Sequence, residues 1–212
     1  MTPQEIAQRF PRLYHVTRPG AMQSIERYGL LSTRAALERF GMAASDVEQL
    51  TRHRRPASVL IEHAEQGVIT INDNIPLSEA ALAKCLDDPL TPGDWLHLLN
   101  GRVFFWADDR RLERLLSARA AHGQPREVLV FDAERLAQAH LDTLAFSAIN
   151  SGATIRKPAR RGLSTFTRVA DRSFDEWRRL RGRLDNVLEI TVDWAVPRAA
   201  EFVVDVRPVT RP

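Results

Sequence analysis

The chain has 212 residues, 44% of them hydrophobic and 27% charged, enough for one ordinary buried core and too few for several. No stretch approaches the ~20 uninterrupted apolar residues of a membrane span. Met1-Thr2-Pro3-Gln4-Glu5 lacks the basic start and apolar run of a signal peptide, so a cytoplasmic chain with no membrane partner is expected. The net charge of +3 comes from 28 arginines and two lysines, Lys84 and Lys157, against 27 acids. The single Cys85 excludes an internal disulfide and a multi-cysteine zinc site.

Thr2-Pro3-Gln4-Glu5 opens a first helix as a capping box with proline at the tolerated position. Leu13–Thr17 follows as a strand, and Ala21–Tyr28 as a helix that Gly29 ends in a left-handed conformation. A helix over about 33–40 stops at Gly41, and Ser45-Asp46-Val47-Glu48 is a second capping box. Val59–Glu62 and Val68–Ile71 predict two strands joined through Gln66-Gly67. Ser78 and Thr91 cap two more helices, the first carrying Cys85 as a buried thiol. Arg102–Trp106 is a strand with three consecutive aromatics, followed by a helix capped by Asp108 or Asp109.

Glu127–Phe131 is a strand and Ala133–His140 a helix. Leu144–Thr167 reads as irregular, Phe174–Leu180 as a helix, and Val187–Asp193 and Glu201–Val206 as strands. Short strands among irregularly spaced helices predict an α/β or α+β fold. It forms one domain over 1–212, with a helical insertion around 33–100.

No dinucleotide fingerprint, P-loop or nucleophile elbow is present, and the six histidines never fall at metal-ligand spacing with carboxylates, so no metal is expected. Three features carry chemistry. His15 and Thr17 share one face of their strand and can clamp ribose hydroxyls. Phe104 and Trp106 alternate with Val103 and Phe105, so a ring can stack on a flat heterocycle while Arg110 or Arg111 reaches a phosphate. Glu189 interrupts an otherwise apolar strand and is either solvated or aimed into a polar cleft. In Arg156–Arg183 arginines far outnumber acids, which makes that segment a candidate nucleic-acid contact.

Together these elements resemble the ADP-ribosyltransferase superfamily, and within it the DarT-like branch that modifies DNA bases. The opening motif is His15-Val16-Thr17 with Ile25 and Gly29-Leu30, and the aromatic strand is Val103–Trp106 running on to Arg110. The closing motif is Leu188-Glu189-Ile190-Thr191-Val192 with Val196-Pro197. The chain also resembles an uncharacterised bacterial family sharing Ile149-Asn150-Ser151-Gly152-Ala153-Thr154. The resemblance implies a split β-sheet with peripheral helices and an NAD-dependent transferase or NAD glycohydrolase. It makes Glu189 catalytic, with NAD as co-substrate held by His15, Thr17, Phe105 or Trp106, Arg110 or Arg111, and Asn150 and Ser151. The acceptor it implies is a macromolecule such as nucleic acid. An RNA 2′-phosphotransferase has a similar His-x-Thr strand, and a catalytically inactive nucleotide-binding module would keep the same cleft.

Overall fold

The computed structural model describes residues 1–87, 89–120, 125–155, 157–181 and 187–209. The elements begin with α1 (Pro3–Arg9), β1 (Arg12–Thr17), α2 (Met22–Tyr28) and β2 (Leu30–Leu31). Then come α3 (Thr33–Arg39), α4 (Ala44–Arg52), β3 (Val59–His63), β4 (Gly67–Ile71), α5 (Glu79–Cys85) and α6 (Pro92–Asn100). They continue with β5 (Arg102–Trp106), α7 (Asp109–Ala120), β6 (Arg126–Asp132), α8 (Ala133–His140), β7 (Leu144–Ser147) and β8 (Thr167–Arg168). The last are α9 (Phe174–Arg181), β9 (Glu189–Asp193), β10 (Ala195–Val196) and β11 (Val203–Val209). The chain is of the α+β class, and it divides into two compact units. One comprises Met1–Leu30, Val103–Ile149 and Phe166–Pro212; the other comprises Leu31–Arg102 and Asn150–Thr165, within which the expected insertion falls. No described helix is long and apolar enough to cross a membrane.

In the first unit seven strands run in the order β11-β6-β1-β5-β9-β7-β8. β6 is the best-tied strand, antiparallel to β1 from Arg12↔Asp132 to Thr17↔Glu127 and to β11 across a bulge between Val203 and Asp205. β7 is antiparallel to β9 from Leu144↔Val192 to Ser147↔Glu189, and to β8 on its other side. Between these laddered groups lies β5, whose register with β1 is confined to Tyr14↔Trp106.

The main core fills one face of this sheet. Leu13, Val103, Phe105, Leu129, Phe131, Leu144, Phe146, Ile190 and Val192 meet Ile6 of α1, Leu136 of α8 and Trp177 of α9. Edge-to-face pairs lock it: Phe105–Phe131 at 5.1 Å and Phe146–Trp177 at 5.7 Å between ring centroids. Such pairs add about 1 kcal/mol each beyond the area they bury. A second cluster on the other face joins Tyr14, Val128 and Val130 to Leu112 and Leu116 of α7.

Gly29 ends α2 at φ 76°, ψ −173°, an extended positive-φ conformation and not the left-handed helical one expected. A Cβ there would lie 2.4 Å from the Val196 carbonyl oxygen, so the Gly29-Leu30 and Val196-Pro197 motifs are pressed together in the fold. The expected irregular stretch 144–167 is corrected by β7, a strand whose four residues are all buried.

The second unit carries the β3–β4 hairpin, turned through Gly67 at φ 82°, over a cluster of Leu37, Phe40, Ile61 and Ile71. A buried polar knot joins its helices. Arg55 donates to Asn100 Oδ1 (3.0 Å), to the Asn72 carbonyl (3.0 Å) and to the Leu50 carbonyl. The Asn100 amide in turn donates to the carbonyls of Thr51 (3.0 Å) and Leu96 (2.8 Å). Burial pushes the Arg55 guanidinium down to about 10. Asn100→Leu removes a partner from a buried cation and from two buried carbonyls. It is expected to cost about 2–4 kcal/mol in urea unfolding; a loss under about 1 kcal/mol would show that the knot relaxes onto water.

Candidate functional site

β1 alternates so that Leu13 enters the main core and Tyr14 the second cluster, which sends His15 and Thr17 to Leu13's side. Past Tyr14↔Trp106, β1 and β5 share no further register position. The Phe104 carbonyl, which a continued ladder would engage, meets His15 Nδ1 at 2.9 Å. A carbonyl only accepts, so Nδ1 carries the proton. Nε2 of the neutral ring is then an acceptor.

The His15 ring sits 5.9 Å from that of Phe105, and burial pushes its pKa below the ordinary 6.5 while the Phe104 bond works the other way. An unfolded chain therefore takes up this proton before the folded one. The contribution to stability is intact above pH 6.5 and is lost as pH falls from there toward the lowered folded value. His97 and His140, also lowered chiefly by burial, act in the same direction. The urea midpoint should fall on going from about pH 7.5 to 5.5, and fall less in His15→Gln. Equal losses in the two proteins would remove His15 as a source.

Glu189 opens β9 opposite Ser147 of β7, and it is only 4% exposed. Ile190 and Val192 enter the main core, which places Glu189 and Thr191 on the other face, and Thr191 is fully buried. Both faces are thus covered at this strand, which removes the solvated alternative for Glu189. On β5, Val103 and Phe105 likewise enter the main core, so Phe104 and Trp106 take the opposite face. Phe104 and Glu189 therefore share a face on neighbouring strands, His15 takes the opposite face, and β5 alone separates the His15 strand from the Glu189 strand.

Of the other expected site residues, Phe105 is 1% exposed and packed edge-on against Phe131, so its ring is committed to the core. Trp106 is half-buried beside the second cluster. Phe104 is half-buried, edge-on to Phe166 at 6.2 Å, and on the face that Glu189 shares. Alternation pairs it with Trp106, and of the two it is Trp106 that registers with β1. Thr17 ends β1 opposite Glu127, whose carboxylate accepts from the Gly20 amide at 3.2 Å. Arg110 is exposed in the first turn of α7. Arg111 is committed within the protein: its Nη1 donates to the Val187 carbonyl (2.8 Å), and its Nε pairs with Asp108 (3.0 Å).

Asn150 and Ser151 belong to the second unit. Ser151 is fully buried, and its carbonyl accepts from Arg161 Nη1 (2.9 Å) and Trp95 Nε1 (3.4 Å), which makes it a packing residue. Part of the basic segment is likewise committed within the protein. Arg161 is 2% exposed over the Trp95 ring, and Arg160 is paired with Asp87. Arg156, Gly182 and Arg183 lie outside the described residues. Arg168, Arg172, Arg178 and Arg179 are exposed in the first unit, with Arg168 near Asp193 (3.6 Å) and Arg178 near Asp175 (3.7 Å). Among the described residues no group of three or more His, Cys, Asp or Glu side chains gathers to hold a metal.

The chain belongs to a family of unknown function, DUF7002, whose model matches residues 11–203. No curated protein matches it.

Proposed function

We propose that this member of the DUF7002 family is an ADP-ribosyltransferase-like enzyme that breaks the nicotinamide–ribose bond of NAD and passes ADP-ribose to a macromolecular acceptor or to water. The reading rests on one observation: a seam in the sheet at β5, with His15 bonded to the Phe104 carbonyl on one side and buried Glu189 on the other. Two laddered groups of strands meet at β5, which registers with β1 only at Tyr14↔Trp106, and such a parting is what a split sheet requires.

Each residue then has a chemical task. When the C1′–N bond breaks, its electron pair leaves with nicotinamide and positive charge grows on the ribose. A carboxylate held under the sugar stabilises that charge, and Glu189 is a carboxylate buried at the start of β9. It binds the ribose 2′-hydroxyl and takes the proton of the attacking acceptor, whose oxygen or nitrogen closes the new bond at C1′. Neutral His15, fixed in that tautomer by Phe104, accepts at Nε2 a hydrogen bond from a ribose hydroxyl reaching through the parting of β1 and β5. Phe104 supplies the stacking face for nicotinamide, with Trp106 behind it, and Thr17 supplies a hydroxyl at the strand end. Arg110 is the free cation for the pyrophosphate.

The test is incubation of the protein with NAD, following nicotinamide over hours, alone and with single-stranded DNA or RNA. Nicotinamide release supports the enzyme, and the nucleic acid that accelerates it names the acceptor. The exposed arginines of 168–179 are the surface that would recruit such an acceptor. Binding of NAD or ADP-ribose without release would make the chain a nucleotide-binding module instead. The absence of both nicotinamide release and a thermal shift with NAD would overturn the reading.

A further inference from the structure

We infer that Arg111 is a positioning residue that sets the entry to β9, and so the placement of Glu189, and that it is not a phosphate ligand. The inference rests on the reading of Glu189 as the carboxylate under the ribose. Arg111 lies in the first turn of α7, where Asp108 holds it twice: Asp108 Oδ1 accepts its backbone amide (3.0 Å) and Oδ2 pairs with Nε (3.0 Å). The guanidinium is thereby fixed in plane, and its Nη1 donates to the Val187 carbonyl at 2.8 Å.

Val187 is buried, and the next residue, Leu188, donates its amide to the Ser147 carbonyl at 2.8 Å. The two residues before Glu189 are thus each held, Leu188 by β7 through a backbone bond and Val187 by α7 through Arg111. Glu189 then enters the ladder opposite Ser147. A buried carboxylate meant to lie against developing charge tolerates little displacement, since roughly 1 Å of misplacement can cost about a hundredfold in rate. The grip also explains why Arg110, and not Arg111, is the exposed cation of this turn.

The test compares the full chain with Arg111→Ala, Arg111→Lys and Asp108→Asn. Two readouts are used: amide hydrogen exchange over 187–190 against 128–131, and the separation of kcat from KM in nicotinamide release. In Arg111→Ala, exchange over 187–190 should quicken roughly tenfold or more, with 128–131 within about twofold. Its kcat should fall roughly tenfold or more, with KM for NAD within about threefold. Arg111→Lys, which keeps one donor toward Val187, should recover part of both losses. Asp108→Asn, which loosens the guanidinium without touching Val187, should lose in the same direction.

A raised KM with unchanged kcat would overturn the inference and return Arg111 to the pyrophosphate. Unchanged exchange over 187–190 would overturn it too. If wild type releases no nicotinamide, the NAD reading falls by itself, and the exchange measurement still decides whether Arg111 holds this segment.

Discussion

Glu189→Gln should abolish nicotinamide release, by about 10²–10³-fold or more, while NAD affinity stays within about threefold. Glutamine has nearly the same volume and can still hydrogen-bond a ribose hydroxyl, but it carries no charge to set against the oxocarbenium-like sugar and cannot take the acceptor's proton. The loss therefore falls in kcat. Calorimetric titration with NAD and a nicotinamide time course separate the two quantities. Turnover retained within about tenfold would take Glu189 out of the mechanism. A loss of both turnover and NAD binding would mean that the carboxylate supports the shape of the cleft. Thermal melts decide whether the variant is folded in either case.

The largest effect on stability is expected at Gly29→Ala. At φ 76° and ψ −173° the backbone occupies a region open essentially to glycine alone, and the added Cβ would meet the Val196 carbonyl oxygen at 2.4 Å and Pro197 Cα at 3.0 Å. Both atoms are backbone, so no side-chain rotation relieves the overlap, and the α2 end or the β10 strand must move. A cost of about 3 kcal/mol or more in urea unfolding is expected. Gly20→Ala is the control: its φ of 81° carries a similar conformational penalty, but nothing lies within 4 Å of a Cβ there. That variant should lose only about 1–2 kcal/mol. Equal losses in the two would assign the whole Gly29 effect to its dihedral angles and none to the contact.

Where local chemistry decided the structure, the sequence was informative. Thr2 with Glu5 forms the expected capping box, Thr91 and Ser78 cap α6 and α5, with Asp94 closing a box on Thr91, and Cys85 is buried. β5 spans the expected 102–106 because three aromatics in a row fit little else. Ser45, by contrast, lies inside α4, which starts after Ala43 with no side-chain cap. β7 was invisible because Leu144–Ser147 is buried on both faces, so no alternation marks it. The expected strand from Glu201 begins only at Val203, after a 3-10 turn over Ala199–Phe202.

The site divides on the same line. His15 and Glu189 are singled out as candidates by residue type in a strand. The partner of His15 is a carbonyl freed by the parting of β1 and β5, which no side-chain pattern reports. Ser151, a polar residue on a stretch that reads as irregular, is expected as a ligand contact. Its burial depends on Trp95 and Arg161, neither near enough in sequence to be read with it.

The interleaving of the two units along the chain has a consequence for how the protein is made. The second unit needs Arg161, on its short later stretch, to stack on Trp95 and hold the Ser151 carbonyl. A nascent chain that has emerged through Asn100 still lacks that piece. The first unit starts earlier and finishes later: β1 waits for β5 and β6, and β7 for β9. Neither unit can close while the ribosome is still making the middle of the chain. Synthesis of one unit after the other is therefore excluded, and apolar strands such as β1 and β5 spend much of translation without their partners. Slow closure through distant pairings, with a need for shielding during that interval, follows from this order of connection.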